Sequence, residues 1–400
     1  MSDKAAIIIC PSEARIDRPL LGLTIGERLL LSLSYSNIRR IAFVGPGPRP
    51  SCERATFETI EVDQLRSERA VLVVPSDLVL DRKAFGEPRA TPPELPLAWV
   101  DPSTAASIID APEAWLSERA SDPGRSGEGF AIRVHDSQTA RAAERALLGS
   151  LRKPIDGVVS RNLNRHVSLF TTRFLVKLGL SPNVFTVLFM FVGLASAIFV
   201  SMAEYWWAIL LGAFLFQAQS ILDGCDGEMA RLTYRFSHIG QWLDSIGDDV
   251  TNYAFCLGLA LGQARLHGSE VLYIAGFATL AAQVLASGIM YRRMLLWKTG
   301  DLLAIPDTVS TKDDGSLFSS AIKVLRMIAK RDTFVLIIAV LAAVQLPRVA
   351  FWVYAGGTFP MLLGVVINDL RVSKLAPTAA KKPALATTSI NPANTATAGT

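Results

Sequence analysis

Four aspartates lie in a strongly apolar part of this 400-residue chain, and their spacing groups them into two pairs. Asp223 and Asp226 are three residues apart, and Asp244 and Asp248 are four apart. Residues at these separations share one face of an α-helix, so each pair is expected on one side of its helix. A charged carboxylate in a membrane helix costs about 2.5–3.5 kcal/mol, so several together indicate a partner that neutralises them.

A divalent metal ion is the expected partner. Hard cations such as Mg²⁺ and Mn²⁺ prefer carboxylate oxygens, and four carboxylates can hold one ion or two. This all-oxygen set favours Mg²⁺ or Mn²⁺ over zinc, and we expect two ions. By contrast, Glu228 and Asp249, each taken alone, are expected to be solvated at the helix ends.

Small residues and one arginine accompany the acids. Side-chain bulk is missing at four positions close to the carboxylates, as an approaching phosphate or a neighbouring backbone would require: Gly224, Gly227, Ala230 and Gly240. Arg231 follows one turn beyond Gly227, and a guanidinium beside a metal cage can clamp a diphosphate. The pattern therefore predicts a site for a metal-bound diphosphate.

Together these residues resemble the signature of the CDP-alcohol phosphotransferases, also called CDP-alcohol phosphatidyltransferases. The match has no departure, and it reads Asp223-x2-Asp226-Gly227-x2-Ala230-Arg231-x8-Gly240-x3-Asp244-x3-Asp248. The resemblance implies a six-helix membrane fold, usually a homodimer, that moves a phosphoryl-alcohol group from a CDP-alcohol to an acceptor hydroxyl and releases CMP. The acceptor would be an alcohol or a phosphorylated alcohol, and no nucleic-acid partner is expected.

The same resemblance implies a role for each aspartate. Asp223, Asp226 and Asp244 are expected to bind metal. Asp248 is also expected to contact the metal ions, and it is the expected general base. The CDP-alcohol is expected to contact four residues of the motif: Asp223, Gly227, Ala230 and Arg231.

A second, shorter stretch carries candidate residues. The sequence SPNVFT, residues 181–186, resembles the Pro-Asn-x-x-Thr entry to the first span of the same family. Asn183 and Thr186 are therefore secondary candidates for nucleotide contacts. An N-cap role for Ser181 or Asn183 explains the stretch nearly as well, and both interpretations stay open from sequence.

The chain is too apolar for an ordinary soluble enzyme, since 50% of its residues are hydrophobic and 19% are charged. Apolar runs near the bilayer-spanning length of about 20 residues predict six spans, at 183–202, 206–223, 237–263, 270–291, 333–347 and 349–369. Lys and Arg concentrate before the first span and after the second and fourth. The positive-inside rule therefore puts both termini and the acidic stretch at the cytoplasmic side of a multi-pass protein, in a bacterial or archaeal cytoplasmic membrane.

The first 150 residues predict an α/β domain. Buried strands are expected at 5–10, 38–45, 69–75 and 97–100, with helical patterns such as 26–35 and 139–151 among them. This region resembles the sugar-nucleotide nucleotidyltransferases, with Asp77 at the place of their metal-binding aspartate. The joint after it resembles that of the fused inositol-1-phosphate cytidylyltransferase/di-myo-inositol phosphate phosphate synthases. The loop after the first strand reads CPSEARID and lacks the glycines of a phosphate loop, so we expect a degenerate regulatory or scaffolding domain.

The expected fold is thus an α/β soluble N-terminal domain followed by an all-α six-helix integral membrane domain. Its parts are the nucleotidyltransferase-like domain at 1–150, an interfacial amphipathic helix at 151–180, the membrane domain at 181–372 and a disordered tail at 373–400. A plain linker helix is the alternative for 151–180.

Two other functions compete with the phosphotransferase. A membrane prenyltransferase also binds Mg²⁺-diphosphate through aspartates, but this class lacks the Gly-x2-Ala-Arg segment between its acidic pairs. A non-catalytic transporter or scaffold with a divalent-cation site is the second rival. A transporter would release no CMP, so CMP release separates these interpretations.

Overall fold

The computed structural model describes residues 4–68, 70–85, 95–119, 124–126, 129–152, 157, 159–297 and 331–374. The chain forms two compact units. The first comprises Met1–Lys153 with two short segments, Val176–Gly179 and Arg231–Tyr234, and the second comprises Pro154–Leu175, Leu180–Ala230 and Arg235–Thr400. The tail predicted to be disordered lies, from residue 375 onward, outside the described residues.

A five-stranded sheet with the order β5-β4-β1-β6-β8 is the centre of the first unit. Its parallel strands are β1 (Lys4–Ile9), β4 (Ile38–Val44), β5 (Glu58–Thr59) and β6 (Val71–Pro75), and β8 (Ala98–Val100) runs antiparallel to β6. Both central strands, β1 and β6, are nearly continuous runs of Ala, Ile and Val, as strands buried on two faces require. The four predicted strands and the α/β class of this half are confirmed.

Shorter elements complete the first unit. A hairpin of β2 (Pro19–Leu20) and β3 (Leu23–Thr24) precedes α1, and a small antiparallel sheet has the order β7-β10-β9. These strands are Leu78–Leu80 for β7, Gly124–Ser126 for β9 and Gly129–Arg133 for β10. The helices are α1 (Ile25–Tyr35), α2 (Pro102–Asp110), α3 (Pro112–Glu118) and α4 (Ser137–Ser150), so the helical patterns at 26–35 and 139–151 are confirmed.

A buried arginine holds part of the first unit together. Arg28 on α1 is only 1% exposed, and its guanidinium donates hydrogen bonds to the carbonyl oxygens of Leu232 (2.8 Å) and Leu20 (2.8 Å). Burial lowers the pKa of Arg28 to about 10. The ring of Tyr234 stacks on that of Tyr35 at a centroid distance of 5.4 Å. The α1 helix therefore fixes segment 231–234 within this unit.

Helices make up the described part of the second unit. They are α5 (Arg165–Leu175), α6 (Pro182–Ser201), α7 (Trp206–Thr233), α8 (His238–His267), α9 (Glu270–Leu296), α10 (Arg331–Ala343) and α11 (Pro347–Lys374), and the last residues of α7 belong to the first unit. A helix lies at each of the six predicted spans. Four of them are long and apolar enough to cross a membrane, namely Pro182–Ser201, Trp206–Thr233, Glu270–Leu296 and Pro347–Arg371. That all six cross stays a prediction.

Close packing joins the three helices that precede and carry the acidic residues. A Cβ atom added to Gly262 on α8 would lie 2.8 Å from the carbonyl oxygen of Ser201, so only glycine lets α8 approach the end of α6 this closely. Phe216 on α7 stacks on Phe255 on α8 with ring centroids 3.8 Å apart. These contacts set the distance and the facing sides of the helices.

Helix α5 lies within the stretch at 151–180 that was predicted to be amphipathic, and its two sides differ in exposure. The side with Arg165, Ser168 and Thr172 is buried, whereas large apolar side chains elsewhere on the helix are exposed, including Phe170 (64% exposed) and Phe174 (50% exposed). An apolar outer side is the side that a bilayer interface would cover. Contact of α5 with lipid stays a prediction.

Candidate metal and donor site

The two acidic pairs lie on two different helices, and the structure brings three of the four aspartates together. Asp223 lies on α7, and Asp244 and Asp248 lie in the first turns of α8. One carboxylate oxygen from each of these three residues lies within 4.8 Å of the other two, and all three side chains are half-buried. Helical spacing predicted that each pair shares one face of its helix. The structure shows in addition that these faces of α7 and α8 lie close together.

Asp226 has a different environment. Its side chain is 7% exposed and accepts a hydrogen bond from the hydroxyl of Thr186 on α6. A carboxylate has about four lone-pair sites, so this bond leaves capacity for a cation. Asp226 is not among the three grouped carboxylates, and its role as a fourth metal ligand stays a prediction.

Both secondary candidates at the start of α6 approach the acidic motif. Thr186 contacts Asp226, and Asn183 lies so close to Gly240 that a Cβ added there would be 2.6 Å from its Oδ1 atom. Ser181 occupies the N-cap position of α6, but its side chain makes no capping hydrogen bond. Ser181 is therefore the N-cap residue of α6 without a side-chain cap, while nucleotide contacts by Asn183 and Thr186 stay predictions.

Gly240 shows why the motif needs a glycine at this position. Its amide donates a 3.1 Å hydrogen bond to the hydroxyl of Ser237, which caps α8, and its missing side chain makes room for Asn183. We expected the small residues to make room for a phosphate or a backbone. At Gly240 the neighbour is instead a side chain of the first span.

The remaining motif residues follow in order along α7. Gly227 and Ala230 are half-buried on the helix face of Asp223, and Arg231 is half-buried at the start of segment 231–234. Their contacts with a CDP-alcohol stay predictions, as does the role of Asp248 as general base.

The expectation that Glu228 is solvated is wrong. Its side chain is 0% exposed and accepts hydrogen bonds from Arg165 (2.6 Å), Ser168 (2.7 Å) and Thr172 (2.7 Å). All three donors lie on α5. Arg165, Ser168 and Thr172 share one face of α5, but this spacing does not identify Glu228 as their common partner.

Asp249 is half-buried and also has a hydrogen-bond partner. Its carboxylate accepts a hydrogen bond from the hydroxyl of Tyr291 on α9. Asp248 and Asp249 are thus neighbours in sequence with different surroundings. Only Asp248 belongs to the group of three carboxylates.

The geometry fits a hard divalent cation. Three carboxylates this close repel one another unless positive charge lies among them, and oxygen ligands on two rigid helices suit Mg²⁺ or Mn²⁺. The number of ions and the choice between these metals are predictions. When bound, such a cation neutralises phosphate charge and polarises a phosphoryl oxygen.

Comparison with known proteins agrees with this site. Residues 179–363 match the family model described as CDP-alcohol phosphatidyltransferase. This part of the chain is a CDP-alcohol phosphatidyltransferase domain. The matched range contains the whole acidic motif and both α6 candidates.

Curated relatives carry related names. A bifunctional IPC transferase and DIPP synthase of Aquifex aeolicus is 36% identical over 148 residues, 36% of this chain and 33% of that protein. A phosphatidylinositol phosphate synthase of Streptomyces avermitilis is 28% identical over 220 residues, 53% of this chain and 84% of the relative. A CDP-diacylglycerol–serine O-phosphatidyltransferase of Helicobacter pylori is 38% identical over 112 residues, 26% of this chain and 45% of the relative. The chain thus spans about a third of the length of the bifunctional relative.

Removal of a grouped carboxylate should remove metal binding. We expect Asp223→Ala or Asp244→Ala to abolish high-affinity Mn²⁺ binding in the purified protein, measured by electron paramagnetic resonance of free Mn²⁺, and to abolish turnover. Asp249→Asn is the matched control, because Asp249 pairs with Tyr291 and lies outside the group. Unchanged Mn²⁺ binding in both alanine variants would refute the metal assignment.

Asp248 should differ from the pure ligands if it takes the acceptor's proton. Asp248→Asn preserves shape and some coordination but cannot act as a base, and general-base catalysis contributes about 10²–10⁴-fold. We expect kcat to fall by that factor while the affinity for the CDP-alcohol changes little, as measured by steady-state kinetics beside Asp249→Asn. A loss confined to Mn²⁺ affinity would make Asp248 a ligand only.

Proposed function

We propose that this chain is a membrane CDP-alcohol phosphotransferase that transfers a phosphatidyl or polyol-phosphate group to an acceptor hydroxyl and releases CMP. The observation that carries the proposal is the meeting of Asp223, Asp244 and Asp248 inside the family domain. The product would be a phospholipid or a polyol phosphate diester.

The residues of the site can carry out this transfer. Asp248 accepts the proton of the acceptor hydroxyl, whose oxygen forms a bond to the β-phosphorus of the CDP-alcohol. The bond from that phosphorus to the bridging oxygen breaks, and CMP leaves with the electron pair. Arg231 is proposed to stabilise the charge of the diphosphate. Asn183 and Thr186, at the start of α6, are proposed to orient the nucleotide.

The substrates are narrowed by the names of the relatives. The names include an IPC transferase, a phosphatidylinositol phosphate synthase and a CDP-diacylglycerol–serine transferase. We therefore propose a lipid or polyol CDP-alcohol as donor and an alcohol or phosphorylated alcohol as acceptor. The protein would be an integral multi-pass homodimer with the site on the cytoplasmic side, as the distribution of Lys and Arg favours.

The N-terminal α/β unit is proposed to be a scaffold that no longer transfers CMP. Asp77, expected at the place of a metal-binding aspartate, is 3% exposed, and Arg133 donates to both of its carboxylate oxygens at 3.1 and 3.0 Å. The guanidinium takes the position that a cation would need. This pairing supports a degenerate nucleotide site.

The loop at residues 10–17 supports the same proposal. None of its residues has a positive φ angle, which several converging amide groups of a phosphate loop would need. This loop is instead in contact with the loop that follows β4, where the Gly47 amide donates a 2.8 Å hydrogen bond to the carbonyl oxygen of Cys10. That contact fills the space beside the loop with protein backbone.

The decisive experiment for the function measures CMP. We expect purified full-length protein with Mg²⁺ to release CMP from CDP-diacylglycerol or a soluble CDP-polyol when an inositol phosphate, glycerol phosphate or serine acceptor is present. Excess chelator should stop the reaction. If no acceptor of the panel gives CMP release while the protein still binds Mn²⁺, the result favours the transporter or scaffold interpretation.

The scaffold proposal has a separate test. Full-length protein incubated with CTP, Mg²⁺ and a panel of polyol and sugar phosphates should release no more pyrophosphate than the Asp77→Ala variant, since Arg133 occupies the carboxylate. Pyrophosphate release that depends on Asp77 would make the protein bifunctional, producing its own CDP-alcohol.

A further inference from the structure

Beside its acidic motif, helix α7 contacts α6 on one side and α5 on another. On one side, Cys225 and Met229 pack against Phe185 and Phe189 of α6 in a buried apolar cluster. A helix can rotate about its axis against such a contact, because apolar packing has little directionality. On this side the hydrogen bond from Thr186 to Asp226 is one directed contact, and the apolar contacts add no further direction.

The other side of α7 carries Gly224 and Glu228, which are four residues apart and share one face. Arg165 on α5 donates to the Oε1 atom of Glu228 at 2.6 Å, and Ser168 donates to the same atom at 2.7 Å. Thr172 donates to Oε2 at 2.7 Å. Both carboxylate oxygens are thus engaged by donors from a single helix.

Gly224 lies beside the guanidinium of Arg165. A Cβ atom added to Gly224 would lie 3.7 Å from the Nη1 atom of Arg165, in van der Waals contact, so a longer side chain would compete with the guanidinium for space. The donors are themselves buried, with exposed fractions of 8% for Arg165 and 0% for Thr172. The network is a built recognition site for one carboxylate.

Such a buried ion-pair network adds little to the free energy of unfolding. The desolvation of two charges offsets most of their attraction, and apolar residues of similar size often replace a buried ion pair at no cost in stability. Directed hydrogen bonds provide what apolar packing does not, namely a defined rotation of one helix against another. Three bonds at one carboxylate fix that rotation.

We propose that Glu228 is a positioning residue, which, through Arg165, Ser168 and Thr172, fixes the rotation of α7 and thereby aims Asp223 and Asp226 at the metal site. This inference rests on the proposed phosphotransferase function and assigns a task to α5 within it. Glu228 lies two residues after Asp226, so rotation of the helix moves both together. A misplacement of about 1 Å at a reacting centre can cost about 10²-fold in rate.

The test uses Glu228→Gln in the full-length protein, with Glu204→Gln as the control. Glu204 is an exposed glutamate in the turn before α7 and lies far along the chain from the motif. We expect Glu228→Gln to weaken Mn²⁺ binding, measured without substrate by electron paramagnetic resonance, and to lower kcat, each by about 10- to 100-fold. The KM for the CDP-alcohol at saturating metal should change less. Wild-type Mn²⁺ affinity in Glu228→Gln overturns the proposal.

A second variant separates positioning from folding. Glu228→Met combined with Arg165→Met replaces the ion pair by apolar side chains, and we expect it to retain a melting temperature near that of the wild type but to keep the weakened Mn²⁺ binding. Recovery of wild-type Mn²⁺ affinity in this variant overturns the proposal, as does failure of both variants to fold. Mn²⁺ binding is measured without substrate, so it tests the role of Glu228 independently of turnover. Failure of the wild type to release CMP would instead refute the proposed function.

Discussion

Mutual repulsion among three carboxylates is the constraint that organises the helical unit. Two like charges about 4–5 Å apart repel by on the order of 4 kcal/mol at an effective dielectric constant near 20, and the grouped oxygens lie within 4.8 Å of one another. Helices that carry them must be held together by other contacts. Two contacts away from the acids do this. Gly262 lets α8 lie close to the end of α6, and the ring of Phe216 on α7 stacks on that of Phe255 on α8.

Much of this site could be predicted from sequence, because helical periodicity converts spacing directly into a shared face. The pairing of Asp223 with Asp226 and of Asp244 with Asp248 needed nothing else. Four of the five strands of the main sheet were predictable from their apolar runs, whereas β5, with the exposed residues Glu58 and Thr59, was not. The small sheet of β7, β9 and β10 was not predicted either, since β9 and β10 contain glycine and arginine in place of a continuous apolar run.

The environment of Glu228 could not be read from spacing. Its partners are 56 to 63 residues away along the chain, and nothing local distinguishes a buried carboxylate from a solvated one at a helix end. The same holds for Asp226, whose hydroxyl donor is 40 residues away on α6. For Asp77, only the structure reveals that Arg133 neutralises it. Long-range pairing of charges is decided by tertiary packing, which a single sequence does not record.

The orientation of α5 has a consequence for how the protein meets its surroundings. Its polar side is committed to Glu228, so the outward side with Phe170 and Phe174 is left to the solvent or the lipid. If the bilayer interface covers these rings, lateral pressure in the headgroup region acts directly on a helix that touches the acidic motif. The lipid mixture or detergent would then be a chemical variable of the reaction itself, beyond its role in keeping the protein dissolved.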